Sequence, residues 1–221
     1  MSGRFALNTT EADLRAHFSL KNSFVFKPKY NIAPAQLIPV VVLDKLGQAE
    51  LVFMQWGFIP SWQKNPHSTG YNNARIETVL EKPLFKQAFE KKRCLIPVSG
   101  FYEWRLIQKR KQPFFVYLNK MPLFALAGIW ALPTEAGLFP TCAILTKEVA
   151  KESKMAKLHD RMPVIVPKID YMTWLKKRHL TCLDLEKNPE INPEINLDYF
   201  PVSLEVNSPL FDSPDCLRAL S

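Results

Sequence analysis

The sequence predicts an α+β fold of mostly antiparallel strands curled into a barrel-like sheet, with a few peripheral helices. Three observations predict it. Short apolar or alternating runs bounded by turn residues recur along the chain, the helical signatures between them are few, and no linker divides the 221 residues. Residues 1–221 are therefore expected to form a single domain, with enough chain for a substantial core.

Each element has its own signal. Thr10-Glu11-Ala12-Asp13 opens a helix through Phe18, with Thr10 as N-cap and Asp13 reaching back to it. Leu37–Leu43 and Glu50–Trp56 read as strands joined through Asp44-Lys45-Leu46-Gly47. Pro83–Lys92 begins with proline and ends on Lys91, Lys92 and Arg93, the charge that suits a helix C-terminus. A long strand over 94–107 should turn at residues 108–111 and return as Pro113–Leu118. Leu123–Trp130, Thr141–Thr146 and Pro163–Val166 are further strands, with helices expected over Lys147–Leu158 and Asp170–Lys177. The tandem Asn188-Pro189-Glu190-Ile191, Asn192-Pro193-Glu194-Ile195 reads as a surface loop, being too short for a solenoid.

Composition narrows the function. A net charge of +8 favours a polyanionic partner, nucleic acid before membrane surface. With 7 Gly against 18 Pro, the loops should be rigid. Cys94, Cys142, Cys182 and Cys216 lack metal-ligand spacing and read as core fillers, so no metal and no organic cofactor is expected. Neither a membrane span nor a leader pattern is present, which leads us to expect a reduced, intracellular protein.

Glu103 is the most informative residue. It lies in Arg93-Cys94-Leu95-Ile96-Pro97-Val98-Ser99-Gly100-Phe101-Tyr102-Glu103-Trp104, where a carboxylate must be paired, neutral or functional. Burial raises a carboxyl pKa and so tunes an acid–base catalyst toward neutrality. Pairing with an arginine is the plainer reading.

Other polar clusters accompany it. Asn73, Arg75 and Glu77 would share one face of an extended segment, suiting a phosphate or forming a surface Arg–Glu pair. His159, before Asp160-Arg161-Met162-Pro163, is either a held imidazole or a helix C-cap; His17, His67 and His179 read as structural or solvated. Trp56-Gly57-Phe58-Ile59-Pro60-Ser61-Trp62 is a core corner or a platform for a base.

Taken in order, these segments resemble the SOS response-associated peptidase (SRAP) family. The resemblance is carried by Ser2-Gly3-Arg4-Phe5, Tyr30-Asn31-Ile32-Ala33-Pro34, Trp56-Gly57 with Pro60 and Trp62, Asn73-Ala74-Arg75 with Glu77-Thr78, Gly100-Phe101-Tyr102-Glu103-Trp104, Gln112-Pro113-Phe114-Phe115, Gly128-Ile129-Trp130, and His159-Asp160-Arg161-Met162-Pro163. It implies recognition of abasic sites in single-stranded DNA and covalent crosslinking to them. An N-terminal cysteine, exposed by loss of the initiator methionine, forms an imine through its α-amine and then closes a thiazolidine through its thiol. By the same resemblance Asn73 would orient the N-terminus and sugar, Glu103 would move protons, and His159 would act on the sugar hydroxyl and in reversal. Arg4 and Arg75 would hold phosphates, and Trp62 and Pro34 would touch unstacked bases. A monomer associated with DNA is expected.

The chain departs from this pattern at residue 2, where Ser2 stands in place of cysteine. A serine amine can form the imine, but its hydroxyl closes the ring poorly and the oxazolidine should hydrolyse readily. Two rival readings stay open: a non-catalytic single-stranded DNA binder, and a peptidase with Ser2 or Ser99 as nucleophile and His159 as base. No Gly-x-Ser-x-Gly elbow supports the latter, whose best-supported cleavage would be self-removal of Met1.

Overall fold

The computed structural model describes residues 3–63, 70–133, 138–176 and 196–220. The described strands are β1 (Phe5–Leu7), β2 (Lys29–Ile32), β3 (Leu37–Leu43), β4 (Ala49–Trp56), β5 (Asn73–Arg75), β6 (Arg93–Val98), β7 (Gly100–Ile107), β8 (Arg110–Leu118), β9 (Phe124–Ala131), β10 (Thr141–Glu148), β11 (Arg161–Pro163), β12 (Ile165–Val166) and β13 (Leu197–Pro201). Among the described residues three short α-helices accompany them: α1 (Glu11–Phe18), α2 (Pro83–Lys91) and α3 (Tyr171–Lys176). The fold is α+β and strand-dominated, as the patterning predicts. β1, β2 and β13 were not expected; each is short and lacks a clean alternation.

Two sheets share the work of building the core. One runs in the order β13-β8-β7-β1-β2, the other β11-β10-β4-β3-β6-β9-β12. An additional β9–β10 pairing closes β10, β4, β3, β6 and β9 into a ring of strands. Most pairs are antiparallel, but β10 runs parallel to β4 and to β5. The main core lies between the sheets, around Trp56, Phe58, Phe101, Phe124 and Trp174. A smaller cluster, with Tyr102, Phe115, Val202, Val206 and Cys216, covers the outer face of the five-stranded sheet.

Ser99 and Gly100 divide the run expected as one strand over 94–107. β6 belongs to the ring, while β7 crosses into the other sheet. At the crossing β7 passes so close to β8 that a Cβ on Gly100 would stand 2.5 Å from the Val116 carbonyl oxygen. Only glycine permits that approach. The crossing sets the register of β7, with Phe101 facing the main core and Tyr102 the smaller cluster. Glu103, two residues from Phe101, returns to the inner face opposite Phe114.

Other elements differ from expectation for identifiable reasons. No helix spans Lys147–Leu158. β10 continues to Glu148 because residues 146–148 pair with β11, and only a 3-10 turn at Lys154–Lys157 follows, capped by Ser153. The expected strand Pro163–Val166 breaks at Val164, which bonds Leu145 with its N–H and Ala127 with its carbonyl. That residue hands the chain from β10 to β9, so β11 and β12 pair with different neighbours. Thr10 caps α1 as predicted, accepting the Asp13 N–H at 3.1 Å. The tandem at 188–195 lies outside the described residues. Among those described, no helix is long and apolar enough to cross a membrane.

Candidate functional site

Glu103 is 1 % exposed, in the middle of a sheet strand. Its position is fixed by neighbours on both sides. β8 pairs it with Phe114, and β1 pairs Phe5 with Phe101 in antiparallel register. The Tyr102 N–H donates to the Arg4 carbonyl at 3.0 Å, so the ladder continues toward the start of the chain. The paired register itself ends at Phe5 and Phe101, and this bond extends it by one residue on each strand. Arg4, near the start of the described residues, is thereby held beside the neighbour of Glu103.

His159 arrives from the opposite side, on the connection between the 3-10 turn and β11. Its Nε2 stands 4.0 Å from Glu103 Oε2. Two groups compete for its Nδ1: the Arg161 N–H donates to it at 3.0 Å, and the exposed Asp160 carboxylate lies at 2.7 Å. Nδ1 accepts from the Arg161 N–H in one tautomer and donates to Asp160 in the other, while Nε2 faces Glu103. An imidazolium would exchange the Arg161 contact for the Asp160 carboxylate. A ring with two such alternatives beside a buried carboxylate can pass a proton in either direction.

Glu103 and His159 line a cleft of about 580 Å³ together with Trp104, Leu106, Lys111 and Asn207. Its far wall belongs to the last part of the chain. Trp104 Nε1 donates to Asn207 Oδ1 at 2.7 Å. Buried Asn31 donates from Nδ2 to the carbonyls of Val206, Ser208 and Phe211, and accepts from Arg4 through Oδ1. Asp212 accepts the N–H groups of both Tyr30 and Asn31. The Tyr102 phenol, pushed up by burial, donates to the Tyr30 carbonyl at 2.6 Å. Sequence reasoning gave Asn31, Trp104 and Asn207 no role. An asparagine between aromatic and apolar residues was the available signal for Asn31.

Asn73 lies on β5, half-buried and level with Ile144 of β10. Its segment is tied to the His159 side by an ion pair. Arg161 Nη2 donates to Glu77 Oε2 at 2.8 Å and Oε1 at 3.2 Å, and Glu77 also accepts the Glu148 N–H. Burial alone would raise the Glu77 pKa, but the Arg161 hydrogen bond and the Glu148 N–H hold it below the usual value. Glu77 does not share a face with Asn73 and Arg75. β5 ends at Arg75 and a 3-10 turn over Ile76–Thr78 swings Glu77 toward Arg161.

Arg75 and Trp62 are exposed, and Pro34 occupies a turn in which Ala35 adopts φ 68° and donates to the Trp56 carbonyl. Arg4 instead turns its guanidinium onto Asn31, Val206 and Asn207. Ser2 lies outside the described residues, as do His67, His179 and Cys182. Cys94, Cys142 and Cys216 are buried, and burial pushes the Cys94 and Cys142 thiols up, away from reactivity. His17 packs against Tyr171, its Nε2 at 3.1 Å from the phenol oxygen, consistent with a structural role.

Comparison with known proteins bears directly on this geometry. The family model described as SOS response associated peptidase (SRAP) matches residues 1–209. The abasic site processing protein YoaM of Bacillus subtilis is 35 % identical over 231 residues, covering 99 % of this chain and 98 % of its own. The abasic site processing protein HMCES of Xenopus tropicalis is 31 % identical over 228 residues, covering 88 % of this chain and 67 % of its own. A crystal structure of a protein from Bacteroides thetaiotaomicron superimposes with a TM-score of 0.79 at 20 % identity, over 99 % of both chains. At that identity it supports the fold alone.

Proposed function

The chain belongs to the SOS response associated peptidase family, and from that premise we propose that it senses abasic sites in single-stranded DNA by covalent attachment through its N-terminal residue. The observation that carries this reading is the buried Glu103 carboxylate, with His159 Nε2 4.0 Å away and the neighbouring Tyr102 N–H bonded to the Arg4 carbonyl. Curated relatives named as abasic site processing proteins support the substrate.

Once Met1 is removed, the Ser2 α-amine attacks the aldehyde carbon of the ring-opened abasic sugar and gives a carbinolamine. Glu103, as an acid, protonates the departing hydroxyl, and water leaves as the imine forms. The deprotonated carboxylate then takes the proton shed by nitrogen. An α-amine has an ordinary pKa of about 7.7–8.0, so a useful fraction is neutral at cellular pH. His159 serves the sugar hydroxyl and the return of water during reversal, while Asn73 orients sugar and amine. Addition of the Ser2 hydroxyl to the imine closes an oxazolidine, which is weaker than the ring a thiol would give.

Arg75 holds a phosphate flanking the lesion, and Trp62 and the Pro34 turn touch unstacked bases of the strand. Arg4 holds a phosphate flanking the lesion from its place between the first strand and the last segment, where its guanidinium also bonds the Val206 and Asn207 carbonyls. Residues 1–221 act as one domain, as a DNA-associated monomer.

Denaturing gels with abasic and intact oligonucleotides test the reading. The chain as written should give a band only with abasic DNA and only after borohydride trapping. Ser2→Cys should give a heat-stable band without reductant. Equal, reductant-independent crosslinking by both would assign the chemistry to another residue. Native binding with no trapped product would favour the non-catalytic reader, and a peptidase would release Met1 without any DNA adduct.

A further inference from the structure

A second pocket lies away from Glu103 and His159, between α2 and the end of β9. Pro60 and Trp62 form one wall, Pro83, Leu84, Gln87 and Lys91 of α2 another, and Lys92 and Trp130 close it. Its volume is about 150 Å³, a size that admits a single aromatic ring. The lining combines two indoles and an amide with two lysines, and it contains no carboxylate. Lys92 Nζ stands 4.3 Å from the centre of the Trp130 ring, so a cation is already held over the aromatic face. An apolar peptide would gain nothing from that rim. A flat ring bearing a neighbouring negative charge uses every part of it.

The sheet fixes how far this pocket lies from the proposed lesion site. Ile144 of β10 pairs with Asn73 on one side and Gly128 on the other, and Trp130 is two residues beyond Gly128. Two residues along a strand and two strand spacings across place Trp130 about 12 Å from Asn73. Stacked nucleotides advance about 3.4 Å each along one strand. The separation therefore corresponds to about two to four nucleotides.

We propose that this pocket receives one nucleobase of the strand that carries the abasic site, about two to four nucleotides from the lesion. Gln87 meets the base edge, Trp130 its face, and Lys91 and Lys92 the flanking phosphate. The site would measure the intact strand beside the lesion, so that a free sugar aldehyde or a lesion at a strand end is held less well. This rests on the reading of the chain as an abasic-site protein, and the test keeps the two apart.

The probe is a set of abasic oligonucleotides with one to six nucleotides on each side of the lesion, followed by a scan in which each flanking base in turn is replaced by a base-less spacer. Affinity is measured by fluorescence anisotropy, and trapped imine separately on gels. Affinity should step up by about tenfold when one flank reaches the pocket, as for a single stacked base. A spacer at one position, two to four nucleotides from the lesion, should remove the step. Trp130→Phe should reduce it, while Lys91→Glu and Gln87→Ala, at exposed helix positions, should each weaken it without disturbing the core. Imine yield on the shortest oligonucleotide should stay unchanged in all three variants. A smooth rise with length, a step indifferent to the missing base, or a full step in the Lys91→Glu and Gln87→Ala variants would overturn the pocket. Loss of the imine in the parent with the step retained would overturn the covalent reading and leave the pocket standing.

Discussion

Glu103 and His159 face one another across the same cleft, yet they are held by unlike means. Glu103 stands within a β-ladder, paired with Phe114 of β8, two residues beyond the pairing of Phe101 with Phe5, and it has almost no exposed surface. His159 sits on a connection, about a quarter exposed, steadied by one backbone N–H and one surface carboxylate. A group that must stay unsolvated and fixed belongs on the first kind of support. A ring that must alternate between proton positions needs the freedom of the second. The difference indicates which partner tolerates disturbance, and three substitutions probe it.

Glu103→Gln preserves shape and removes the transferable proton. Imine formation under borohydride trapping should slow by about 10²–10⁴-fold, with DNA affinity within about twofold of the parent. A rate close to the parent would move the proton transfers to His159.

Glu77→Gln loosens the His159 wall at a distance, by taking the counter-charge from buried Arg161. Buried arginines left unpaired are costly, but Glu77 is itself more than a third exposed, so a loss of about 1–2 kcal/mol is expected by urea unfolding. The pH dependence has a defined sign. A carboxyl whose folded pKa lies below its unfolded value, about 4.3, stabilises above that value and loses the contribution as pH falls toward the folded one. Parent and variant stabilities should therefore converge on acidification from about pH 5 downward. A gap that stays constant there would mean that shape, not charge, holds the anchor.

Asp160→Ala should have the smallest effect. The carboxylate is 85 % exposed, and the Arg161 N–H remains to orient the ring. Trapping rates within about threefold of the parent are expected, with stability changed by less than about 0.5 kcal/mol. A tenfold loss would show that the imidazolium, and not the neutral ring, dominates the slow step.

Legibility in the sequence followed the range of the interactions involved. Glu103 was readable because a charge among aromatic residues is a local anomaly. The capped helix at Thr10 and the strands at 37–43 and 50–56 were readable from neighbours a few positions apart. The role of Asn31 was not, since the carbonyls it binds are 175 to 180 residues away. Glu77 was misread because a period-2 pattern looks the same whether β5 continues or turns after Arg75. The missing helix at 147–158 has a similar cause, for the pairing of β10 with β11 depends on where the chain returns.

The bond between Arg4 and the Val206 carbonyl, 2.7 Å long, joins positions 202 residues apart. During synthesis the first strand can pair with β2 and β7 early, but this side-chain fastening waits for one of the last segments. At about 5–20 residues per second that interval is roughly 10–40 seconds. Docking of the 204–217 segment then completes the hold on Arg4, so the timing of translation itself sets when this wall of the cleft reaches its finished form.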